Sequence, residues 1–325
     1  MNRTLVTGGS GFVGANLARR LLRKGHEVHL LLRPGYKSWR IQEIISDVVL
    51  HECDLGDHDA AMKLVGAVRP DWIFHLAAHG AYSWQTNVSE IMQTNFTNTV
   101  NLVSACLAVG FGAFVHTGSS SEYGFKDHAP AETEWLEPNS NYAVAKASAT
   151  LFCGYTGKSQ RVRITTLRLY SVYGPFEEPN RLIPQVILHG LKGQFPALVA
   201  PETARDYVYV DDVCDACIAT AEKPHELGAV FNLGTGVQTS LKEVVEIARR
   251  EMQIGTQPKW DSMPGRVWDT NVWVADNGRI RRELGWRPNH SFAEGFHRTV
   301  QWFRDNPACL NIYVKGGLAE LRIEG

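Results

Sequence analysis

Thr4-Leu-Val-Thr-Gly-Gly-Ser-Gly-Phe-Val-Gly14 is the stretch from which the rest of this chain can be read. A short β-prone run, Thr4 to Thr7, stops at Gly8, and glycines then recur at every third position: Gly8, Gly11 and Gly14. From Phe12 the pattern turns helical, with Val13, Leu17 and Leu21 four apart, until Gly25 ends it. A strand, a glycine turn and a helix in that order make a phosphate-binding device. The first glycine permits the tight turn, the second lets backbone approach a pyrophosphate, and the third packs helix on strand. The helix N-terminus then presents free N–H groups and a partial positive charge to the anion. A lone glycine triplet could be a surface turn. Here the flanking strand and helix are both legible, so the stretch predicts a dinucleotide site.

Working outward, the sequence predicts strands over 28–32, 48–53, 72–76, 113–117 and 162–169. Helices are predicted over about 59–68, 88–109 and 139–158. Strands alternating with helices imply an α/β fold with a Rossmann-type, doubly wound parallel sheet. Ligands of such sheets bind at the carboxyl ends of the strands. Gly8, Asp54, Ala77-Ala78 and Gly118-Ser119 each follow a strand, as that rule requires. After Tyr173-Gly-Pro175 the rhythm loosens, with prolines at 175, 179, 184, 196 and 201. Residues 1–175 are therefore read as the dinucleotide-binding domain. Residues 176–325 are read as a smaller mixed α/β substrate lobe, with room for some of its segments to return to the sheet. Its legible parts are a helix to about Glu222, a strand ending in Phe231-Asn-Leu-Gly-Thr-Gly236, and a helix from Ser240 capped by that serine with Glu243. Further helices fall near 279–284 and 292–303. The last dozen residues read as a loosely attached tail.

The composition excludes several classes. At 325 residues, 44% hydrophobic and 21% charged, the chain has the makeup of a soluble globular protein. A formal charge of −1 leaves no basic footprint for nucleic acid and no polybasic membrane patch. No apolar run approaches the ~20 residues of a membrane span. The opening strand starts at once, leaving no room for a signal peptide, and the expected location is cytoplasmic. The six cysteines are scattered through apolar runs, as reduced buried thiols would be. Cys214 and Cys217 form a C-x-x-C, but no second pair accompanies it and the pattern is that of a helix face. No metal site is expected.

The chemistry is carried by Tyr142-Ala-Val-Ala-Lys146, which puts a phenol and an ammonium on one helix face. Free tyrosine titrates near ~10. A cation one turn away, and the positive ring of an oxidised nicotinamide, both favour its phenolate. Such a pair can move a proton to or from a sugar hydroxyl while hydride moves to or from a cofactor. Ser119 could hydrogen-bond the same oxygen.

On Thr7–Gly14, Asp54-Leu55, His75-Leu-Ala-Ala78, Thr94-Asn95, Ser119–Gly124, Tyr142/Lys146, Leu167–Pro175, Arg205–Val213 and Asn232–Gly236, the chain resembles an extended short-chain dehydrogenase/reductase. The likeness is to its nucleotide-sugar epimerase/dehydratase group. The resemblance implies a bound nicotinamide cofactor, a lobe that grips a nucleotide-diphosphate sugar, and a catalytic set of Ser119, Tyr142 and Lys146. It places the cofactor against Gly8, Ser10, Gly11, Phe12, Val13 and Gly14, then Asp54, Leu55, Leu76, Ala77, Ala78, Asn95 and Thr117. Arg33, Tyr142, Lys146, Tyr170 and Val172 complete that site. His79, Ser120, Ser121, Arg181, Arg205 and Arg266 are expected at the substrate, with Arg205 and then Arg266 on the diphosphate. Asn180-Arg181 suits the sugar or phosphate, or a solvent-facing loop. Trp84, Trp135 and Trp268 are offered as pocket walls. A homodimer through a four-helix bundle is implied, its apolar helices lying around 92–109 and 142–155.

Three departures refine the expectation. NAD-using relatives place an aspartate at the end of the second strand, whereas this chain has Leu32 followed by Arg33. A guanidinium in place of a carboxylate favours a 2′-phosphate, hence NADP(H), though an ordinary exposed arginine also fits there. The 4,6-dehydratases follow the catalytic hydroxyl with acidic residues, and here Ser120 and Ser121 stand in those places. A hydroxyl cannot act as a carboxyl base near neutral pH, so dehydration is not expected. No cysteine lies in the Ser119–Gly124 loop, as carbon-acid epimerase/reductases would need. Ser-Ser-Ser-Glu-Tyr-Gly124 is similar to the loop of reductases acting on 4-keto-6-deoxy sugars. The leading expectation is an NADPH-dependent C4-ketone reductase; the alternative is a 4-epimerase that retains its cofactor. A non-catalytic NADP sensor would keep the fold but lose Tyr142 or Lys146, and both are present.

Overall fold

A computed structural model of the chain describes residues 1–263 and 271–320. The first half alternates as expected: β1 (Arg3–Thr7), α1 (Phe12–Arg23), β2 (Glu27–Leu32), β3 (Val49–Glu52), α2 (His58–Val68) and β4 (Trp72–His75). Then come α3 (Val88–Met92), α4 (Asn98–Val109), β5 (Ala113–Ser119), α5 (Asn141–Ser159), β6 (Ile164–Leu169) and β7 (Ser171–Tyr173). The second half holds α6 (Leu182–Gly190), β8 (Ala204–Arg205), β9 (Tyr207–Tyr209), α7 (Val210–Glu222), β10 (Val230–Leu233), β11 (Thr239–Ser240) and α8 (Leu241–Met252). It closes with α9 (Gly278–Leu284), α10 (Phe292–Asp305) and α11 (Pro307–Glu320).

Seven strands form one parallel sheet in the order β10-β6-β5-β4-β1-β2-β3. Because its strands are covered on both faces, they read as near-continuous apolar runs rather than alternating ones. Val6, Leu30, Phe74 and Val115 face a cluster shared with α1 and α7, while Leu5, Leu31, Ile73 and Phe114 face α2, α4 and α5. The strand order reverses between β1 and β4, and the crevice at their carboxyl ends is where such folds bind ligands. β10, from the second half, pairs with β6 at the sheet edge, and α7 packs beside α1. α6, α8, α10 and α11 surround a third cluster built on Ile183, Val186, Val244, Phe296 and Phe303, while Ile280 and Leu284 of α9 join the first.

One local reading is refined and one further element is added. The predicted 88–109 helix is continuous but widens into a π turn over Gln93–Thr97. Asn95 sits inside it, and its amide bonds to His79 O (2.6 Å) and Ile91 O (2.8 Å). A π turn leaves the apolar period nearly intact, so periodicity could not show it. The described chain is helical up to Glu320, and this helix is anchored just ahead of the stretch read as a tail. Pro307 opens α11 at the position where its missing N–H costs nothing. Tyr313 is wholly buried, donates its hydroxyl to Glu177 O (2.6 Å), and packs against Trp39, Trp302 and Phe303. Aromatic contacts across such sequence distances leave no local pattern.

Candidate active site

The glycine turn lies at the reversal point of the sheet. Gly8 has φ +68°, and a Cβ there would lie 2.7 Å from Ala77 N. A Cβ on Gly14 would lie 2.2 Å from Gly8 O, so helix and turn touch backbone to backbone. Gly11 N donates to Gly8 O (2.9 Å) and Gly11 caps α1 without a side chain. Only glycine fits this cradle, and it brings the start of α1 beside Leu76 and Ala77 after β4. Thr7 fixes that junction: its hydroxyl bonds His75 Nδ1 (2.7 Å) and receives Ala77 N (3.2 Å). These groups fit a dinucleotide pyrophosphate on the helix N-terminus. Ser10, Phe12 and Val13 are half-buried at the same turn, and Arg33 is exposed beyond the buried Leu32. Asp54 is exposed after β3, its carboxylate taking Gly56 N (2.8 Å), and the Leu55 carbonyl is held by Asn101 (2.8 Å). Ala78 is exposed, in the same loop as the half-buried His79.

Ser119 ends β5, and Ser140 caps α5 by accepting from Ala143 N (3.1 Å). The Ser119 hydroxyl lies 2.7 Å from Ser121 Oγ and acts on Tyr142 to favour its phenolate. Burial raises the Tyr142 phenol's pKa, reinforced by Glu122 and Tyr82; Ser119 and then Arg181 draw it back. Lys146 is buried with its ammonium donating to Thr117 O (2.8 Å). Burial pulls it down to about 8, against the opposing field of Glu122. Arg181 is a cation that lowers the phenol's pKa, and Lys146, which the sequence offered for that part, has its ammonium on Thr117 O.

Facing this wall are residues from the second half. Arg181 lies between Glu177 Oε1 (3.6 Å) and the ring of Tyr82 (6.0 Å). Trp273 donates its indole N–H to Ser120 Oγ (3.1 Å), and the guanidinium of Arg205 lies over that indole (5.4 Å). Asp206, fully buried, accepts from Thr235 N, Gly236 N and Ala275 N, tying three segments together beside Arg205. Tyr170 is buried behind Ser120, and Val172 is half-buried in β7. Arg266 and Trp268 lie outside the described residues. His79 is turned to Gln85 (3.1 Å) and Glu90 (3.4 Å), and Asn95 braces its loop. Trp135 is 82% exposed and walls no pocket; Trp84 stacks on Tyr82 at 4.8 Å. Trp273, Tyr82 and Asp206 escaped the sequence reading. Only Asp206 carried a signal, from its place in Arg-Asp-Tyr.

The comparisons with known proteins agree with this fold. The model of the NAD dependent epimerase/dehydratase family matches residues 4–234. The chain belongs to that family and is an enzyme of the extended short-chain dehydrogenase/reductase type. It is 31% identical to a UDP-glucose 4-epimerase of Mycolicibacterium smegmatis, over 93% of this chain and 99% of that one. A dTDP-glucose 4,6-dehydratase of Streptomyces niveus is 29% identical, with 94% of both covered. Among solved structures, the UDP-glucose 4-epimerase of Thermotoga maritima with UDP-glucose gives a TM-score of 0.84 at 27% identity, covering 93% of this chain and 99% of that one. The Thermus thermophilus UDP-glucose 4-epimerase complexed with NAD gives 0.82 at 28%, with the same coverage. Among the described residues no group of His, Cys, Asp and Glu could hold a metal, and no helix is long and apolar enough to cross a membrane.

Proposed function

We propose that this enzyme exchanges hydride at C4 of a nucleotide-diphosphate sugar without dehydrating it. The observation that carries the reading is the Ser119–Gly124 loop. It offers hydroxyls at 120 and 121, and its one carboxylate, Glu122, is wholly buried and paired with Arg168 at 2.8 Å. No carboxyl group of this loop is free to remove a C5 proton or expel a C6 hydroxyl. A bound nicotinamide would supply the hydride acceptor or donor. Tyr142 would then give or take the proton of the C4 oxygen, with Ser119 holding that oxygen. Lys146 fixes the backbone of Thr117 at the floor of the site. Arg181 and Arg205 are the groups for the sugar-diphosphate end.

Within that class the reading is an NADP(H)-dependent reductase of an NDP-4-keto-6-deoxyhexose, favoured by Arg33 standing after Leu32 where a carboxylate would suit NAD. The second reading is a 4-epimerase with retained cofactor. The 31% identity to the Mycolicibacterium epimerase favours it, as does NAD in the Thermus neighbour. A homodimer is proposed on the α4–α5 face, where Val144, Leu151 and Tyr155 expose an apolar stripe. The test is a panel of nucleotide sugars, with and without NADPH, followed by absorbance and product mass. NADPH consumption with a gain of two hydrogens supports the reductase. An isomer of unchanged mass formed without NADPH supports the epimerase. Loss of water overturns both.

A further inference from the structure

We propose that Glu122 is a positioning residue: its buried carboxylate registers the Ser119 loop against the helix that carries Tyr142 and Lys146. The inference rests on the roles given above to Ser119, Tyr142 and Lys146. One oxygen, Oε1, accepts from Ser119 N (2.8 Å) and from the Thr150 hydroxyl (3.0 Å). Thr150 follows Tyr142 and Lys146 at four-residue steps, so all three share one face of α5. The other oxygen, Oε2, accepts from Arg168 Nε (2.8 Å). Arg168 in turn donates to the Tyr123 hydroxyl (2.7 Å), which donates to Asn232 (2.7 Å) on β10. A single carboxylate therefore touches the backbone of one candidate catalytic residue and the helix face of the other two.

The packing leaves little slack. Glu122 has no exposed surface, and a Cβ on Gly118 would lie 2.5 Å from Oε1. A short turn capped by a serine needs no buried ion pair for its own sake, and such pairs are weak sources of stability. Their better-supported use is to specify one arrangement of neighbouring groups. The charge acts in the same place. The groups bearing on Tyr142 are Ser119, Glu122, Tyr82 and Arg181; those bearing on Lys146 are Glu122 and Cys153, with the Thr117 carbonyl. In both sets Glu122 favours the protonated form, so removing its charge should ease ionisation of the phenol.

The test reads the Tyr142 phenol directly, through tyrosinate absorbance of the NAD+-saturated protein against the same protein carrying Tyr142→Phe. Glu122→Gln/Arg168→Met removes both charges of the pair while Gln can still accept from Ser119 and Thr150. The expected result is ionisation of Tyr142 at lower pH than in the wild type, by roughly half a unit to one unit. An unchanged titration, in a variant that melts and binds NAD+ like the wild type, would show that Glu122 only staples the fold. If the double variant does not fold, Glu122→Gln alone leaves Arg168 charged and should shift the phenol further in the same direction; no shift there overturns the proposal equally. A titration difference that persists when Tyr142 is replaced by Phe in both proteins would belong to another tyrosine and overturn the inference.

Discussion

The two walls of the site are built in different ways. The wall of β5 and α5 is local in sequence: Ser119, Glu122, Tyr142, Lys146 and Thr150 fall within one strand, one turn and one helix, and most are buried. The opposite wall is assembled from Tyr82, Arg181, Arg205 and Trp273, drawn from four distant segments and only partly covered. Asp206 and Tyr313 hold that wall together from behind. On the proposed reading, chemistry that every substrate shares is set on the rigid, preorganised side, where fixed geometry lowers the reorganisation needed at reaction. Recognition is left to the side that loops and the second half can vary.

Breaking the rigid wall should have the largest effect. Tyr142→Phe removes the proton path and should cost ~10²–10⁴-fold in turnover, with cofactor affinity within a few-fold. Steady-state rates and a cofactor titration check it; a variant keeping more than about a tenth of the wild-type rate would clear Tyr142 of the role.

Next comes the cofactor end. Arg33→Ala should weaken NADP binding by about ten- to a hundredfold, from loss of roughly 1.5–3 kcal/mol of charge-assisted contact, and leave NAD binding nearly unchanged. Equal losses for both cofactors, measured by calorimetry, would return Arg33 to the status of a surface residue.

The smallest effect sharpens the picture of the sheet beneath the site. His116 is buried on β5 with neither ring nitrogen hydrogen-bonded among the described residues, and burial, with Lys146 and His75 nearby, holds its pKa well below the usual value. Below the unfolded pKa of ~6.5 the unfolded chain takes up a proton that the folded chain refuses, so stability must fall as pH falls. His116→Val should lose about 2 kcal/mol less than the wild type between pH 7 and pH 5, and be near neutral at pH 7. Urea unfolding at the two pH values reads this. Identical acid losses would mean that His116 takes up its proton in the folded chain as readily as in the unfolded one.

What the sequence made legible follows the same division. The glycine turn, the strand–helix alternation and the Tyr142/Lys146 spacing are local patterns, and the strands and helices stand where those patterns put them. The Ser240–Glu243 capping box is likewise present. The π turn around Asn95, the burial of Tyr313 and the Trp273–Ser120 contact depend on partners far away in the chain, and no periodicity announces them. The bond from Lys146 to Thr117 O is of the same kind, since helix spacing gives the face of a side chain but not its partner. Glu122 lay in plain view in the loop, yet its pairing with Arg168 required β5 and β6 to be placed side by side.

The central claim is hydride exchange without carbon-acid chemistry, and solvent isotope reads it most directly. The wild-type enzyme is incubated in deuterium oxide with the nucleotide sugar that turns over, and the product is weighed after exchangeable positions are washed back. The account predicts no solvent deuterium on carbon and no loss of water. A product that has taken up a deuteron on carbon and shed water would contradict it.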